Sequence, residues 1–190
     1  MNERYFLKSI EQLPPFLQVH SKNVACYMRA LAESVGGVDI EKAYQAGLYH
    51  DIGKRGIPSS IWNKAGGLTK FEWEKVKMHP ILGGTWLSEQ KADIEIIQCA
   101  KYHHEKLDGS GYPYGLKGED IPIIARICSI ADSFDAMIAA RPYSKPKTTE
   151  EAISDLYKYA GIQFDSDLVE SFTTLLLKSE NNLWENILIA

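Results

Sequence analysis

Apolar residues recur at helical spacing along most of the chain, and the breaks in this pattern coincide with glycine, proline or helix-capping residues. The pattern predicts helices from Pro14-Pro15 to Gly36-Gly37, Ile40 to Gly53, Thr69 to about Met78, Ala92 to Glu105, Ile123 to Ala140, Thr148 to Gly161, Phe164 to about Leu177 and Leu183 to Ile189. No run of alternating apolar and polar residues is typical of a strand. The sequence therefore predicts an all-α fold, a helical bundle.

Local signals refine the ends of these helices. Thr69 with Glu72 and Thr148 with Glu151 have the spacing of capping boxes. Pro80 is expected to push His79 out of regular α geometry, which would place His79 at a junction between helices. The residues from 107 to 122 include four glycines and two prolines and predict a long loop with a closely specified backbone.

Length and composition indicate one globular unit. A chain of 190 residues with 45% hydrophobic and 24% charged residues suits a single domain, 1–190, with its core at about 16–178. The net charge of -4 gives no general basic field, so we expect no binding to a nucleic-acid duplex. Binding of a smaller phosphate ligand by a local cluster of basic residues is compatible with this charge.

The cysteines and the apolar runs indicate the cellular compartment of the protein. The three cysteines, Cys26, Cys99 and Cys128, are odd in number and lie at apolar helical positions, as reduced core thiols do. No apolar run approaches the roughly 20 residues that a spanning helix needs. We therefore predict a cytoplasmic protein without membrane insertion.

The most informative polar residues are the five histidines and two aspartates that accompany them. An adjacent histidine and aspartate, His50-Asp51, fall at a predicted helix end, and consecutive helical residues diverge by about 100°, so both side chains can approach one cation. If Asp51 bridges two cations, one shell consists of His20, His50 and Asp132, and the other of His79, His103 and His104.

Such a pair of divalent ions, roughly 3.5 to 4 Å apart, would hold a bridging hydroxide and stabilise charge at a phosphorus centre, which favours hydrolysis of a phosphodiester. Imidazole and carboxylate ligands suit Fe, Mn, Ni, Co or Zn better than Mg or Ca. Each residue taken alone also has an ordinary structural interpretation. A single His20 or His79 is more often a packing residue, and Asp132 could pair with Arg126.

A phosphodiester also needs cationic donors. Lys54, three residues after Asp51, is placed to reach a phosphate oxygen, and Arg126, Arg141 and Lys145 flank the helix that carries Asp132. Each of these charges could also be a surface charge or an ion pair, and the proximity of Lys54 to the dyad favours the phosphate contact for that residue.

These residues resemble the motifs of the HD-GYP phosphodiesterases. The match runs through His50-Asp51-Ile52-Gly53-Lys54, Gly56-Ile57-Pro58, His79-Pro80, His103-His104-Glu105, Asp108-Gly109-Ser110-Gly111-Tyr112-Pro113, Arg126, Ala131-Asp132, Phe134-Asp135-Ala136 and Arg141-Pro142-Tyr143. It extends from about residue 20 to residue 172. The histidine-aspartate dyad is shared by the whole HD phosphohydrolase superfamily, whereas the string from the histidine pair through Gly-Tyr-Pro is highly specific.

The resemblance implies an HD-domain helical bundle that hydrolyses cyclic di-GMP to pGpG or GMP, with two divalent ions, Fe or Mn before Ni, Co or Zn. It implies that Asp51 bridges the metals and that Lys54 lies near the scissile phosphate. It also implies that Tyr112 shapes the nucleotide pocket and that Arg141 contacts substrate phosphate.

Two positions depart from the family pattern. Members with a third metal carry a glutamate four residues before the first ligand histidine, where this chain has Phe16, so two metals are expected. The lysine that usually follows the Arg-Pro-Tyr arginine by three residues is Ser144 here, and Lys145 is a neighbouring substitute.

Two other functions stay open at this point. The same metal cluster could act on another cyclic dinucleotide or nucleotide, or the chain could bind cyclic di-GMP as a signalling module without cleaving it. A homodimer or a signalling-protein partner is compatible with either.

Overall fold

The structure, a computed structural model, describes residues 8–62, 64, 66–139 and 145–178. Its helices are α1 (Pro15–Val35), α2 (Ile40–Tyr49), α3 (Ser59–Trp62), α4 (Lys70–Val76), α5 (His79–Glu89), α6 (Ile94–Tyr102), α7 (Ile123–Ile138), α8 (Thr149–Lys158) and α9 (Ser166–Lys178). Two 3-10 turns, Ile52–Gly56 and Gly118–Asp120, lie between them. The described residues form no β-strand, so the all-α prediction is confirmed. The helix predicted from Leu183 to Ile189 lies outside the described residues.

Both capping boxes form as the sequence predicts. At the start of α4, Thr69 Oγ1 accepts from the Glu72 backbone N–H at 3.2 Å, and the Glu72 carboxylate accepts from the Thr69 N–H at 2.7 Å. Thr148 and Glu151 repeat this arrangement at α8. Each box satisfies two backbone donors that a helix start would otherwise leave free.

Helix α5 is the main departure from the sequence prediction. His79 was expected to leave α geometry because of Pro80, yet His79 begins α5 and Pro80 lies in its first turn. Proline is tolerated there because the backbone N–H it lacks has no partner within the helix. His79 still lies at a helix junction, since α4 ends only three residues earlier.

Helix α6 is shorter than predicted and ends at Tyr102, so His103 and His104 follow the helix rather than lie within it. Between α6 and α7, the only regular element is the 3-10 turn at 118–120. The histidine pair therefore stands at a change from helix to irregular backbone.

The core is formed by helices that pack against α1 and α6. Helix α1 packs against α2, α7 and α9, while α6 packs against α2, α5 and α7. The rings of Tyr27, Phe134 and Phe172 pack edge to face at centroid distances of 5.3 to 5.9 Å in its centre. No helix in the described part of the chain is both long and apolar enough to span a membrane.

Candidate metal centre

The five histidines and two aspartates predicted from the sequence converge around Asp51. Asp51 follows the end of α2 and is buried. Its Oδ1 lies 3.2 Å from His79 Nε2 and 3.9 Å from His103 Nε2. Its Oδ2 lies 3.4 Å from His50 Nε2 and 3.7 Å from His20 Nε2. One carboxylate oxygen thus faces each half of the cluster.

The remaining side chains separate into two groups on either side of Asp51. Within each group, one potential ligand atom per residue lies within 4.8 Å of the others: His20, His50 and Asp132 in one, His79, His103 and His104 in the other. The sequence predicted this division. A third group of the same kind, made of His50, Asp51 and His103, connects the two.

Three of the histidines are fixed in one tautomer by their own backbone. The Nδ1–H groups of His50, His79 and His103 each donate to the carbonyl of the residue three positions earlier, at 2.7, 2.7 and 3.1 Å. A carbonyl only accepts, so Nδ1 carries the proton in each ring. The Nε2 atoms that point toward Asp51 therefore present lone pairs, as metal-ligating imidazoles do.

The cluster consequently holds acceptors that lack donors. His50 Nε2 and Asp51 Oδ1 are buried and have no hydrogen-bond partner among the described residues. His79 Nε2 and His103 Nε2 face each other at 3.3 Å. Both rings carry their proton on Nδ1, which donates to a backbone carbonyl, so neither Nε2 atom can donate to the other. Buried acceptors without donors are costly, and a cation would satisfy all of them. These residues fit divalent metal ions in number, donor type and direction.

Burial and charge keep the donors in the forms that bind metal. Burial alone would raise the pKa of Asp51, but the Lys54 ammonium group beside it outweighs burial and holds the pKa well below its usual value. Burial lowers the pKa of His103, and burial with the nearby His79 lowers the pKa of His104 to about 3. The carboxylate is ionised and these imidazoles are neutral.

His20 has a different environment, supplied by α7. Its Nδ1 lies 2.6 Å from Asp135 Oδ2, and its Nε2 lies 3.0 Å from Asp132 Oδ1. Burial alone would lower the pKa of His20, but these two carboxylates outweigh burial and raise it to about 9. Asn23 donates to the other oxygen of Asp135 at 2.8 Å and so orients the carboxylate.

Asp135 was not among the ligands predicted from the sequence, and its contact with His20 is the main addition that the structure makes. The signal was its spacing, since a residue three positions after Asp132 lies on the same helix face. Arg126, in contrast, pairs with Asp165 at 2.6 Å, so the alternative in which it neutralises Asp132 is wrong.

Lys54 and Tyr112 lie at the cluster. Lys54, on the 3-10 turn after the dyad, is largely buried and forms an ion pair with Asp51 Oδ2. The Tyr112 ring stacks on His104, with centroids 4.7 Å apart and planes inclined by 27°. A cation and an aromatic ring thus border the centre.

The other positions predicted from the sequence lie away from the centre or outside the residues that the structure describes. Phe16 is 54% exposed on α1, one turn before His20. Lys145 is exposed, and no contact joins it to the cluster in the part of the chain that the structure describes. Arg141 and Ser144 lie outside the described residues.

Comparison with known proteins gives a family and several relatives. A family model described as HD domain matches residues 7–168. A cyclic di-GMP phosphodiesterase of Thermotoga maritima is 41% identical over 160 residues, which cover 82% of this chain and 44% of that protein. A 3'3'-cGAMP-specific phosphodiesterase of Vibrio cholerae is 41% identical over 155 residues, covering 80% of this chain and 30% of that protein.

A solved structure supports the fold. The HD domain of the phosphodiesterase PgpH from L. monocytogenes, in complex with cyclic di-AMP, superposes with a TM-score of 0.67 at 22% identity, covering 94% of this chain and 96% of that one. The chain spans less than half the length of the two sequence relatives above.

Proposed function

The chain belongs to the HD domain family, and from this membership we propose that it is a metal-dependent phosphodiesterase that hydrolyses cyclic di-GMP. The observation that carries the proposal is the shared position of Asp51 between two groups of buried ligands. The Thermotoga maritima relative, 41% identical and named a cyclic di-GMP phosphodiesterase, supports the choice of substrate.

The ligand groups support two divalent ions, Fe or Mn first, with Ni, Co or Zn suited to the same donors. His20, His50 and Asp132 would hold one ion, His79, His103 and His104 the other, and Asp51 would contact both. Ions bound there would lower the pKa of a coordinated water toward neutrality and stabilise negative charge on a phosphoryl oxygen.

The protein's own side chains supply the remaining parts of the site. The Lys54 ammonium group lies beside Asp51, where it can donate to a non-bridging phosphate oxygen and offset charge that develops during hydrolysis. Tyr112, stacked on His104, would border the nucleotide pocket. Arg141 and Lys145 are proposed contacts of substrate phosphate, Arg141 on the family resemblance and Lys145 on its charge and its place beside Ser144.

Hydrolysis of one phosphodiester opens the ring of cyclic di-GMP to pGpG, and a second hydrolysis gives GMP. Either product, or both in sequence, is compatible with a site that hydrolyses one phosphodiester at a time. The ratio of the two products over time is therefore part of the test.

The proposal is tested with protein purified without oxygen and loaded with Mn or Fe(II). Chromatography of the nucleotides should show cyclic di-GMP converted to pGpG or GMP. Asp51→Ala should abolish turnover while circular dichroism shows an intact fold. Asp155→Ala, which removes a partly exposed carboxylate paired with Lys147, is the matched control and should retain activity. Undiminished activity in Asp51→Ala would refute the proposal.

A second substrate, 3'3'-cGAMP, is favoured by the Vibrio cholerae relative at 41% identity. Parallel rates with cyclic di-GMP, cGAMP and cyclic di-AMP separate these substrates, and a kcat/KM higher for cGAMP than for cyclic di-GMP would reassign the specificity. Tight binding of cyclic di-GMP without product, in metal-loaded protein, would instead indicate a binding module.

A further inference from the structure

We propose that Glu105 is a positioning residue that holds the Tyr112 ring in place at the candidate metal centre. This inference rests on the proposed function, because it assigns Tyr112 to the substrate pocket of the same site. Glu105 directly follows the histidine pair, and its backbone N–H donates to the Tyr102 carbonyl at 2.9 Å, where α6 ends. Its side chain points inward, and the residue is 3% exposed.

The buried carboxylate of Glu105 is satisfied by backbone groups of the loop that carries Tyr112. Oε1 accepts from the Tyr114 N–H at 2.7 Å, and Oε2 accepts from the Leu116 N–H at 3.0 Å. A buried carboxylate is costly unless its oxygens are hydrogen-bonded, and bonds from amides to an ionised acceptor are among the stronger ones. The carboxylate therefore ties the loop to the segment that bears the histidine pair.

The same loop also touches this segment just before the two bonds to Glu105. The Tyr112 N–H donates to the His104 carbonyl at 3.2 Å. A Cβ built on Gly111 would lie 2.5 Å from Glu105 Cα, so only glycine permits the approach. Tyr112 is thus anchored by backbone contacts on its N-terminal side and by the Glu105 carboxylate on its C-terminal side.

These anchors fix the ring of Tyr112, which stacks on the ligand candidate His104. A ring already held in its binding position loses less conformational freedom when a nucleotide arrives, which improves substrate binding. Glu105 acts here through Tyr112. Its loss should therefore affect binding of substrate more than the chemical step or the metal ions.

The first test is Glu105→Gln, which keeps the shape but replaces one acceptor oxygen by an NH2 group. One of the two loop amides then loses its acceptor. The KM for cyclic di-GMP should rise about tenfold, the factor expected for one lost hydrogen bond to a charged group. We expect kcat to stay within about threefold and the metal content per chain to stay unchanged. Glu119→Gln, the same change at an exposed position of the same loop, is the matched control and should leave KM unaltered.

A double-mutant cycle tests whether Glu105 acts through Tyr112. If it does, Glu105→Gln should raise KM in the parent protein but cause no further rise in a Tyr112→Ala background. A purely structural contribution to folding would add its effect in both backgrounds. An additive result, or an unchanged KM in the single variant, overturns the proposal.

Amide hydrogen exchange provides a readout that needs no substrate. The Tyr112, Tyr114 and Leu116 amides should exchange faster in Glu105→Gln than in the parent protein, and Glu119→Gln should show no change. If the parent protein does not hydrolyse cyclic di-GMP, the proposed function fails, and the exchange result alone decides whether Glu105 positions the loop. If Glu105→Gln does not fold, Glu105→Asp, which keeps the charge but shortens its reach, takes its place in all measurements, and unchanged exchange in that variant overturns the proposal.

Discussion

His20 Nδ1 lies 2.6 Å from Asp135 Oδ2, while the other nitrogen of the same ring faces Asp132 at 3.0 Å. Both carboxylates come from α7, one turn apart, and the imidazole comes from α1. An imidazole held by a carboxylate on one nitrogen is oriented to bind a metal with the other. Asp135 therefore orients the His20 ring, as backbone carbonyls orient the rings of His50, His79 and His103.

Asp135→Asn should weaken metal binding about 10- to 100-fold, because the amide keeps the shape but loses the charge that orients and polarises His20. Competition with a fluorescent chelator, using Mn(II) or Fe(II), measures this affinity. Asp155→Asn makes the same change at an exposed ion pair and should bind metal as the parent does. Equal affinities in both variants would mean that Asp135 only fills space.

The ligand candidates could be predicted from the sequence because their types and spacing carry the chemistry. His50-Asp51 follows a helix with small residues on its buried face, and the pair His103-His104 follows an apolar helix, so their convergence follows from helix packing. The structure brings together every residue that the sequence had grouped as a ligand. Their roles as ligands remain a proposal that the metal titrations test.

Features that depend on tertiary packing could not be predicted in the same way. Helix α5 was missed because its glycines, Gly83-Gly84, are typical of a loop and its apolar residues do not form one stripe. The structure shows why glycine is present: the backbones of Gly53 and Gly83 approach closely. Likewise, spacing places Asp135 on the helix face of Asp132, but it does not show that Asp135 meets His20, which lies 115 positions away.

Metal binding should raise the melting temperature of the protein, because the ions satisfy acceptors such as His50 Nε2 and Asp51 Oδ1 that otherwise lack donors. At a free metal concentration of about 100 times Kd, each bound ion stabilises the folded state by about 2.7 kcal/mol. For a domain of this size, that corresponds to a rise of about 5 to 11 °C. Differential scanning fluorimetry with Mn(II) and after chelation measures the shift.

Asp51→Ala provides the control for this shift, since it removes the carboxylate that both ligand groups share. The variant should show a much smaller rise with Mn(II), whereas Asp155→Ala should show the full rise. A shift of equal size in Asp51→Ala would place the stabilising ions somewhere other than this cluster.

Lys54→Met should lower kcat for cyclic di-GMP about 10²- to 10³-fold, the usual effect of removing one donor that stabilises charge in the transition state. Metal affinity should be retained, because Lys54 is a cation beside Asp51 and not a ligand. Lys147→Met, at an exposed lysine that pairs with Asp155, is the control and should keep its rate. Loss of bound metal in Lys54→Met would contradict the role in catalysis and indicate that Lys54 organises the Asp51 carboxylate instead.

Gly53→Ala should both destabilise the fold and weaken metal binding, because Gly53 lies where the turn after the dyad meets α5. A Cβ at this position would lie 2.0 Å from the His79 carbonyl oxygen and 2.4 Å from the Gly83 backbone nitrogen. Both are backbone atoms, so the start of α5 must move, and the His79 ring must move with it. We expect a loss of about 3 kcal/mol in the free energy of unfolding, the upper part of the range for overpacking.

Gly67→Ala tests whether this loss comes from the close approach, since a Cβ on Gly67 meets nothing within 4 Å. Its free energy of unfolding should stay within about 0.5 kcal/mol of the parent value. Urea denaturation of the metal-free proteins isolates the packing effect, and chelator competition on the folded proteins reports the displacement of His79. One outcome would contradict this prediction: Gly53→Ala loses stability but binds Mn(II) as tightly as Gly67→Ala does. The close approach of Gly53 to α5 would then not set the position of His79 as a metal ligand.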